Sequence, residues 1–584
     1  MYEPQFYVTC RDPEADVKII PTSSEDSIAL FRILVRFPHK KTPSPVRIEW
    51  ESEMRNILHV WTPSCGVHHA IPQWFAPAVN RSSFHSGAPL LCVIGDRGLN
   101  SSTVALSDPV TPLEVSFWIK DLEQRNMVGY AVTLFSSSTD ALTEYETLLR
   151  IDGRKIPYCR AIGGVYPWWK ECGFAIPEPP ASAEDPLYSS WYNFHQAPNG
   201  KKLLEELKIA SELGFRTVIL DDGWQFPGPS CGDYSFCGEW QVSKDKFEDF
   251  RAFTDAVHNY GIKLIVWFTV PFVGVKSPIF EQFKGKYLSV DHGLLQAGVL
   301  DIRHPDIRRW IVGNYRRFLT EYGIDGFKLD FIDSFAERPE TAPFDPSCMD
   351  CESVGQAVRM LMTEITEELG AIKPDLLYEY RQNYVGPAVN RFGNMLRVAD
   401  CAYDAMTNRI GTVDLRLLNY PVAVHSDMLF WAPSESPVLC AKQLLSILFS
   451  VPQISVLLTE STEEQKELIG DYLAYWTENR ETLLHGTFLP QRPELNYPVI
   501  VAESAEKQIA VLYGEHFFRV GNLPCDIFAD GADEGILVEN PAAETRVVEV
   551  YDRFGAVLLG KEELAPYSIR KFTFTRTGMI RVGI

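Results

Sequence analysis

The sequence predicts an α/β protein: a (β/α)8 TIM barrel flanked by an N-terminal β-sandwich and a small C-terminal β-sandwich. Two observations carry this. From about residue 185, short β-rich runs alternate with amphipathic helical ones, the signature of βα units on a parallel sheet, and eight such runs fit a closed barrel. On either side, helical periodicity is scarce and β-rich runs are separated by Pro, Ser, Gly and Asn clusters, the texture of antiparallel sandwiches. An open doubly wound sheet is the alternative for the middle region.

In chain order, the N-terminal unit (residues 1–170) carries RILVRFPHK, VRIEWES, LEVSFWIKD and GYAVTLF as strands. The barrel (residues 171–485) has strand candidates PLYSSWYNF, TVILDD, KLIVWFTV, GFKLDFID, LLYEYRQ, NMLRVAD, VAVHSDML and ISVLL. Between them lie helices such as KKLLEELKIASELG and KFEDFRAFTDAVHNYG, whose terminal glycines are C-cap signals. The C-terminal unit (residues 486–584) returns to β in PVIVAES, KQIAVLYG, TRVVEVYDRFG and SIRKFTFTR.

Composition narrows the function classes. The 584 residues are 46% hydrophobic and 23% charged, ordinary for a soluble globular protein. A formal charge of -22 argues against nucleic acid or an anionic membrane as partner. No apolar run is long enough for a transmembrane helix. The N-terminus shows neither a basic flank nor an apolar h-region, so a cytoplasmic location is the expectation; a mature secreted form would look the same.

The 12 cysteines are too few for a disulfide scaffold. Cys348 and Cys351 have CxxC spacing without a second pair or a nearby His to complete a zinc site, and Cys231 and Cys237 either pair or stay reduced in a long loop. No Walker or dinucleotide glycine motif is present, so neither cofactor nor metal is expected.

A barrel binds its substrate at the C-terminal ends of its strands. Here strand after strand ends in polar or aromatic residues: Trp191, Asp221 and Asp222, Trp267, Lys328 and Asp330, Glu379 and Arg381, Arg397 and Asp400, His425 and Asp427. One Asp at a strand end is commonly a turn or cap residue, and a lone His is commonly structural. A whole ring of carboxylates, cations and tryptophans suits glycoside hydrolysis or transfer. A retaining glycosidase needs a carboxylate nucleophile, a carboxyl proton donor, hydroxyl-binding groups and flat apolar faces. Alternation puts Lys328 and Asp330 on one strand face, where the cation favours an ionised Asp330 as nucleophile. Asp400 is the candidate acid/base, with Asp404 as its rival.

VILDDGWQ, KLIVWFTVPF, LDIRHPDIRRW, GFKLDF and RVADCAYDAMTNR together resemble glycoside hydrolase family 36, the α-galactosidases and relatives that share a clan with families 27 and 31. The resemblance covers roughly residues 185–480 and extends loosely to the flanking β units. It implies Asp330 as nucleophile and Asp400 as acid/base. It places Asp221 and Asp222 on the O4 and O6 hydroxyls, Lys328 on neighbouring hydroxyls, and Trp191 and Trp267 as pocket walls. Arg381, Arg397 and Asp427 complete the expected substrate-binding set. The chain departs from the family where WFTVP stands for W-F-E-P-E, YEYRQNYVGP for the C-S-G-G-G stretch and ADCAYD for S-D-N-T-D, positions that contact the sugar's 2-position and leaving group. The expected activity is therefore a retaining exo-α-galactosidase acting on a carbohydrate substrate. An α-N-acetylgalactosaminidase or other pyranosidase, or a galactosyl transferase like the raffinose synthases, would use the same machinery. A non-catalytic sugar-binding barrel is the distant alternative, and a homo-oligomer stays open.

Overall fold

The computed structural model describes residues 4–64, 66–67, 71–121 and 126–583. Eight parallel strands form the central sheet: β1 (Leu187–Ser189), β2 (Thr217–Leu220), β3 (Lys263–Thr269), β4 (Gly326–Asp330), β5 (Leu377–Arg381), β6 (Met395–Arg397), β7 (Ala423–His425) and β8 (Gln453–Ile454). They pair in sequence order, with β8 returning to β1, and isolated parallel bridges His425–Val451 and Leu429–Ile454 all but close the ring. Seven of the eight runs read from the sequence contain one of these strands, and ISVLL meets β8 only at Ile454. They are fully apolar over residues such as Val218–Leu220 and Leu264–Val266 because both faces of a parallel sheet are covered.

The helices carry the signals that start and stop them. Helix α1 (Gly200–Leu213) opens at Asn199, which accepts from Lys202 N, and ends at Gly214 in the left-handed region. Helix α2 (Phe250–Asn259) is capped by Asp249, α3 (Pro305–Arg317) starts with proline at its first position, and α4 (Val354–Gly370) is capped by Ser353. Helices α5 (Ala405–Leu417), α6 (Pro437–Ser446) and α7 (Glu463–Arg480) complete the outer layer. Between β5 and β6 there is only a single helical turn, Pro387–Asn390. The N-terminal unit covers that flank: Phe84 packs on Phe392, and Gly87 N donates to Asn383 O at 2.9 Å.

That N-terminal unit is two antiparallel sheets of five and six strands around their own core, including Ile33, Val35, Trp50 and Tyr130. The C-terminal unit has sheets of seven and three strands around Val501, Ile527 and Ile580. A third, continuous core runs from Trp61 and Leu90 through the barrel to Ile500 and Phe528, so the three units share one apolar interior. At their junction Trp61 donates to the buried Asp414 carboxylate at 2.8 Å, and Tyr497 OH reaches it at 3.3 Å. Among the described residues, no helix is long and apolar enough to cross a membrane.

Candidate active site

The C-terminal ends of β1 to β6 surround a cavity of about 260 Å3 lined by Trp191, Asp221, Asp222, Tyr234, Trp267, Lys328, Asp330, Phe331, Arg381, Arg397 and Asp400. Four carboxylates and three cations thus face one small space.

Asp330 ends β4 and is 9% exposed. Its Oδ1 accepts from Arg381 Nε at 2.6 Å and from Phe331 N at 2.8 Å, and its Oδ2 from Trp267 Nε1 at 3.1 Å. Burial alone would raise its pKa. The charges of Arg381 and Lys328, with the Arg381 and Trp267 hydrogen bonds, outweigh burial and hold it at about 2. The carboxylate is therefore anionic at any physiological pH. Phe331, next in sequence, has φ 63°, a left-handed conformation that turns the chain sharply at the strand end and sets its ring against Tyr234 and Phe272.

Lys328, buried two residues earlier on the same strand, donates to Asp221 Oδ2 at 2.7 Å. Burial works against its charge, but Asp221, Glu379 and Asp330 together outweigh this and raise its pKa. Asp222 accepts from Gln196 Nε2 at 2.6 Å and from Gln225 Nε2 at 2.7 Å. Desolvation nonetheless pushes its pKa up to about 6. Gly223 makes this packing feasible: at φ +107° a Cβ there would sit 2.4 Å from the Gln196 backbone. Lys246 Nζ fastens the same turn by donating to Gln196 O at 2.8 Å and Gly223 O at 2.5 Å.

Arg397 ends β6 and is buried, spanning Asp427 Oδ1 at 2.5 Å and Asp400 Oδ1 at 2.8 Å. The Asp400 side chain stands at the rim, 61% exposed, and the Arg397 charge lowers its pKa.

Several sequence expectations meet a different arrangement. Asp427 is not among the cavity-lining residues. Arg397, Cys401 N (2.8 Å) and Tyr192 OH (3.0 Å) take up its oxygens, so it lies behind Arg397 and orients that side chain. Asp404 lies outside the cavity and caps α5, accepting from Thr407 N at 3.0 Å and Thr407 Oγ1 at 2.6 Å. Trp191 follows β1 on a helical turn, Trp191–Phe194, rather than standing on the strand. His425 is a buried structural residue between Ala183 O (2.7 Å) and Gln453 (3.2 Å), and Glu379 is buried against Gln453 and Arg397. Cys231 and Cys237 are free thiols, Cys231 pairing with Asp233 O rather than with its neighbour.

Two cavity walls escaped the sequence reading. Tyr234, from the loop after β2, lies nearly parallel to Trp267 with ring centroids 6.3 Å apart, and Phe331 faces it. Only the aromatic content of CGDYSFCGEW hinted at Tyr234; loop residues carry no periodicity to say which way they point.

The comparisons agree with this architecture. Residues 181–383 match the melibiase family. An α-galactosidase of Lactobacillus acidophilus is 25% identical over 201 residues, 33% of this chain and 26% of the relative. The A type blood α-D-galactosamine galactosaminidase of Flavonifractor plautii is 26% identical over 190 residues, 28% of this chain and 16% of that protein. The aligned part thus spans about a quarter of the first relative and about a sixth of the second. Among solved structures, the family 36 α-galactosidase of Geobacillus stearothermophilus superposes with a TM-score of 0.64 at 14% identity, covering 97% of this chain and 81% of that one. The α-galactosidase of Lactobacillus brevis gives 0.65 at 14%, covering 100% and 85%. At such identity the superpositions establish the fold, a barrel between two sheet units. Over β1 to β5 the chain resembles the melibiase family, and its overall fold is the one the α-galactosidases of G. stearothermophilus and L. brevis share.

Proposed function

We propose that the protein is a retaining, exo-acting α-galactosidase working by double displacement. The observation that carries this reading is a carboxylate held anionic at the floor of a cavity too small for more than one sugar ring. At about 260 Å3, the space falls just below the usual range for drug-sized ligands. Asp330 attacks the anomeric carbon, and Asp400 at the rim protonates the departing oxygen. The paired Lys328 and Asp221, with Asp222, bind ring hydroxyls, while Trp191, Trp267 and Tyr234 face the C–H surface.

Asp400 must carry a proton when substrate is bound, yet Arg397 favours its anion in the free protein. Two effects oppose Arg397. The negative charge of Asp330 already raises the Asp400 pKa, and a bound sugar strips water from its exposed carboxyl. Once Asp330 is esterified its charge is gone, Asp400 loses that support for its proton, and it acts as base towards water. The free protein then has little of the acid form at neutral pH, so kcat/KM falls as pH rises through the acidic range.

The same machinery serves a second reading. Arg381 stands beside Asp330, in the quarter where the sugar's 2-position lies, and one relative is a galactosaminidase, so a 2-amino or 2-acetamido galactoside is the competing glycone. The test is release of nitrophenol from p-nitrophenyl α-D-galactopyranoside and from its 2-acetamido-2-deoxy analogue, with Asp330→Ala beside the wild type. Turnover of the first substrate that vanishes in the variant is expected. Turnover surviving in Asp330→Ala would refute the nucleophile assignment, and turnover of the second substrate alone would change the glycone.

A further inference from the structure

The barrel cavity has room for one sugar ring, so the rest of a longer substrate lies outside it, against the rim. Asp400 fixes where. An acid protonates an oxygen within hydrogen-bond reach, so the group that this oxygen carries away rests beside the Asp400 carboxyl.

The surface there is a ladder of aromatic rings. It begins at Trp191 on the cavity wall, which meets the His195 ring edge to face with centroids 5.1 Å apart, and His195 meets Tyr192 at 6.3 Å. Tyr192 packs on Phe430 at 5.1 Å, and Phe430 on Tyr403 at 6.2 Å. The ladder flanks the segment that carries the acid. Tyr192 OH and Cys401 N donate to the same oxygen of Asp427, and Tyr403 stands three residues beyond Asp400. Solvent reaches these rings: Trp191, Tyr192 and Phe430 are half-buried, His195 is exposed, and Tyr403 is 49% exposed.

Both exposed rings stand on backbone that non-glycine residues adopt only at a cost. His195 has φ 45° and ψ -135°, and Tyr403 has φ 64°. Each is nonetheless held in place. His195 N donates to Trp191 O at 2.6 Å, Tyr403 OH donates to Glu435 Oε2 at 2.9 Å, and Tyr403 O accepts from Gln443 Nε2 at 2.8 Å. A solvent-facing tyrosine adds little to the core, and strain of this kind gathers where a ligand is gripped. A plain tether from the start of α5 to the turn before α6 would use the same two Tyr403 bonds, but it would need the hydroxyl rather than the ring.

Resting on the galactosidase reading above, we infer that this ladder is the leaving-group subsite. A second sugar ring, joined through the oxygen that Asp400 protonates, lies with its apolar C–H face on Phe430 and Tyr403. The substrate class is then an α-galactosyl saccharide rather than a simple alkyl galactoside.

The experiment measures kcat/KM for melibiose and for methyl α-D-galactopyranoside in the wild type, Tyr403→Ala and Tyr403→Phe. Both leaving groups are alkoxides that need the Asp400 proton, but only melibiose brings a second ring to the rim. The ratio of the two values therefore reads the ladder apart from the acid. The wild type should favour melibiose by at least about tenfold, and Tyr403→Ala should cut that ratio about tenfold. Tyr403→Phe keeps the ring, gives up the Glu435 bond and should keep the ratio. An unchanged ratio in Tyr403→Ala overturns the subsite. So does a loss shared equally by both substrates, which would make Tyr403 a support of Asp400, or an equal loss of the ratio in both variants, which would make it the tether. A wild type that turns over neither substrate refutes the galactosidase reading itself, and this inference falls with it.

Discussion

Replacing Arg381 by Gln withdraws the nearest cation from Asp330 while keeping much of the side-chain volume. The guanidinium touches Oδ1 at 2.6 Å in a partly buried setting. With charge centres about 4 Å apart and an effective dielectric of about 20, the pair interacts by about 4 kcal/mol, or about three pK units. Lys328 and the Trp267 hydrogen bond remain, so Asp330 moves from about 2 to about 5. In the wild type no loss of activity on the acid side should be seen down to the pH at which the protein unfolds. In Arg381→Gln, kcat/KM for p-nitrophenyl α-D-galactopyranoside should stop rising towards acid below pH ~5, where protonation of Asp330 cancels the growing acid form of Asp400, while the wild type keeps rising. The assay is the pH profile of kcat/KM for both proteins, with circular dichroism at each pH to show that the fold persists. An acid limb that stays where it was refutes the argument that Arg381 sets the ionisation of Asp330.

Three further predictions concern the rim acid and its rival, the buried junction of the units, and the Lys328–Asp221 pair. Asp404→Ala removes a helix cap and should cost about 1 kcal/mol in urea unfolding with turnover retained, whereas Asp400→Ala should reduce turnover of a poor leaving group at least about 100-fold; equal losses in the two variants would reopen the choice of acid. Asp414→Asn tests the buried junction of the three units. Burial raises the Asp414 pKa to about 8, so the folded state keeps a proton that the unfolded chain has lost above pH ~4, and stability falls as pH rises between those values. The Asn variant still offers Trp61 an acceptor and should match the wild type at pH 4 but exceed it by several kcal/mol at pH 8; parallel unfolding midpoints at both pH values would contradict this. Lys328→Met leaves Asp221 buried and unpaired, which should cost about 3–5 kcal/mol and abolish turnover, while Lys328→Met with Asp221→Asn should recover stability alone; thermal melts of the two variants decide it.

The barrel was legible because both its signals are local. Buried parallel strands read as apolar runs, and their polar ends stand out against that background, as in TVILDD and GFKLDFID. Alternation also told which residues point inward, but not how deep they lie. Asp427 and Glu379 point in and are sealed beneath the cavity, while Asp400 points in and reaches water. Depth follows from strand tilt and stagger, which no single strand encodes. The Asp404 cap was readable in principle from the Asp-x-x-Thr pattern ahead of α5, but it was overshadowed by its nearness to Asp400. Tyr234, Gln196 and Gln225 belong to loops whose direction is set by tertiary hydrogen bonds.

The single helical turn between β5 and β6 bears on how freely this architecture can be recombined. Where other βα units bring their own covering helix, this one borrows its cover from Phe84 and the turn around Gly87. The N-terminal unit is therefore an outer cover of the barrel rather than an appendage, and it cannot be exchanged or trimmed without baring the flank beside the strand that carries Arg381. Grafting experiments or gene fusions that treat the sandwich as a detachable cassette should yield insoluble barrels. Insertions elsewhere, such as the three-stranded sheet between Phe272 and Leu300, lie in an excursion from the barrel wall, where lineages can vary the protein without touching that shared cover.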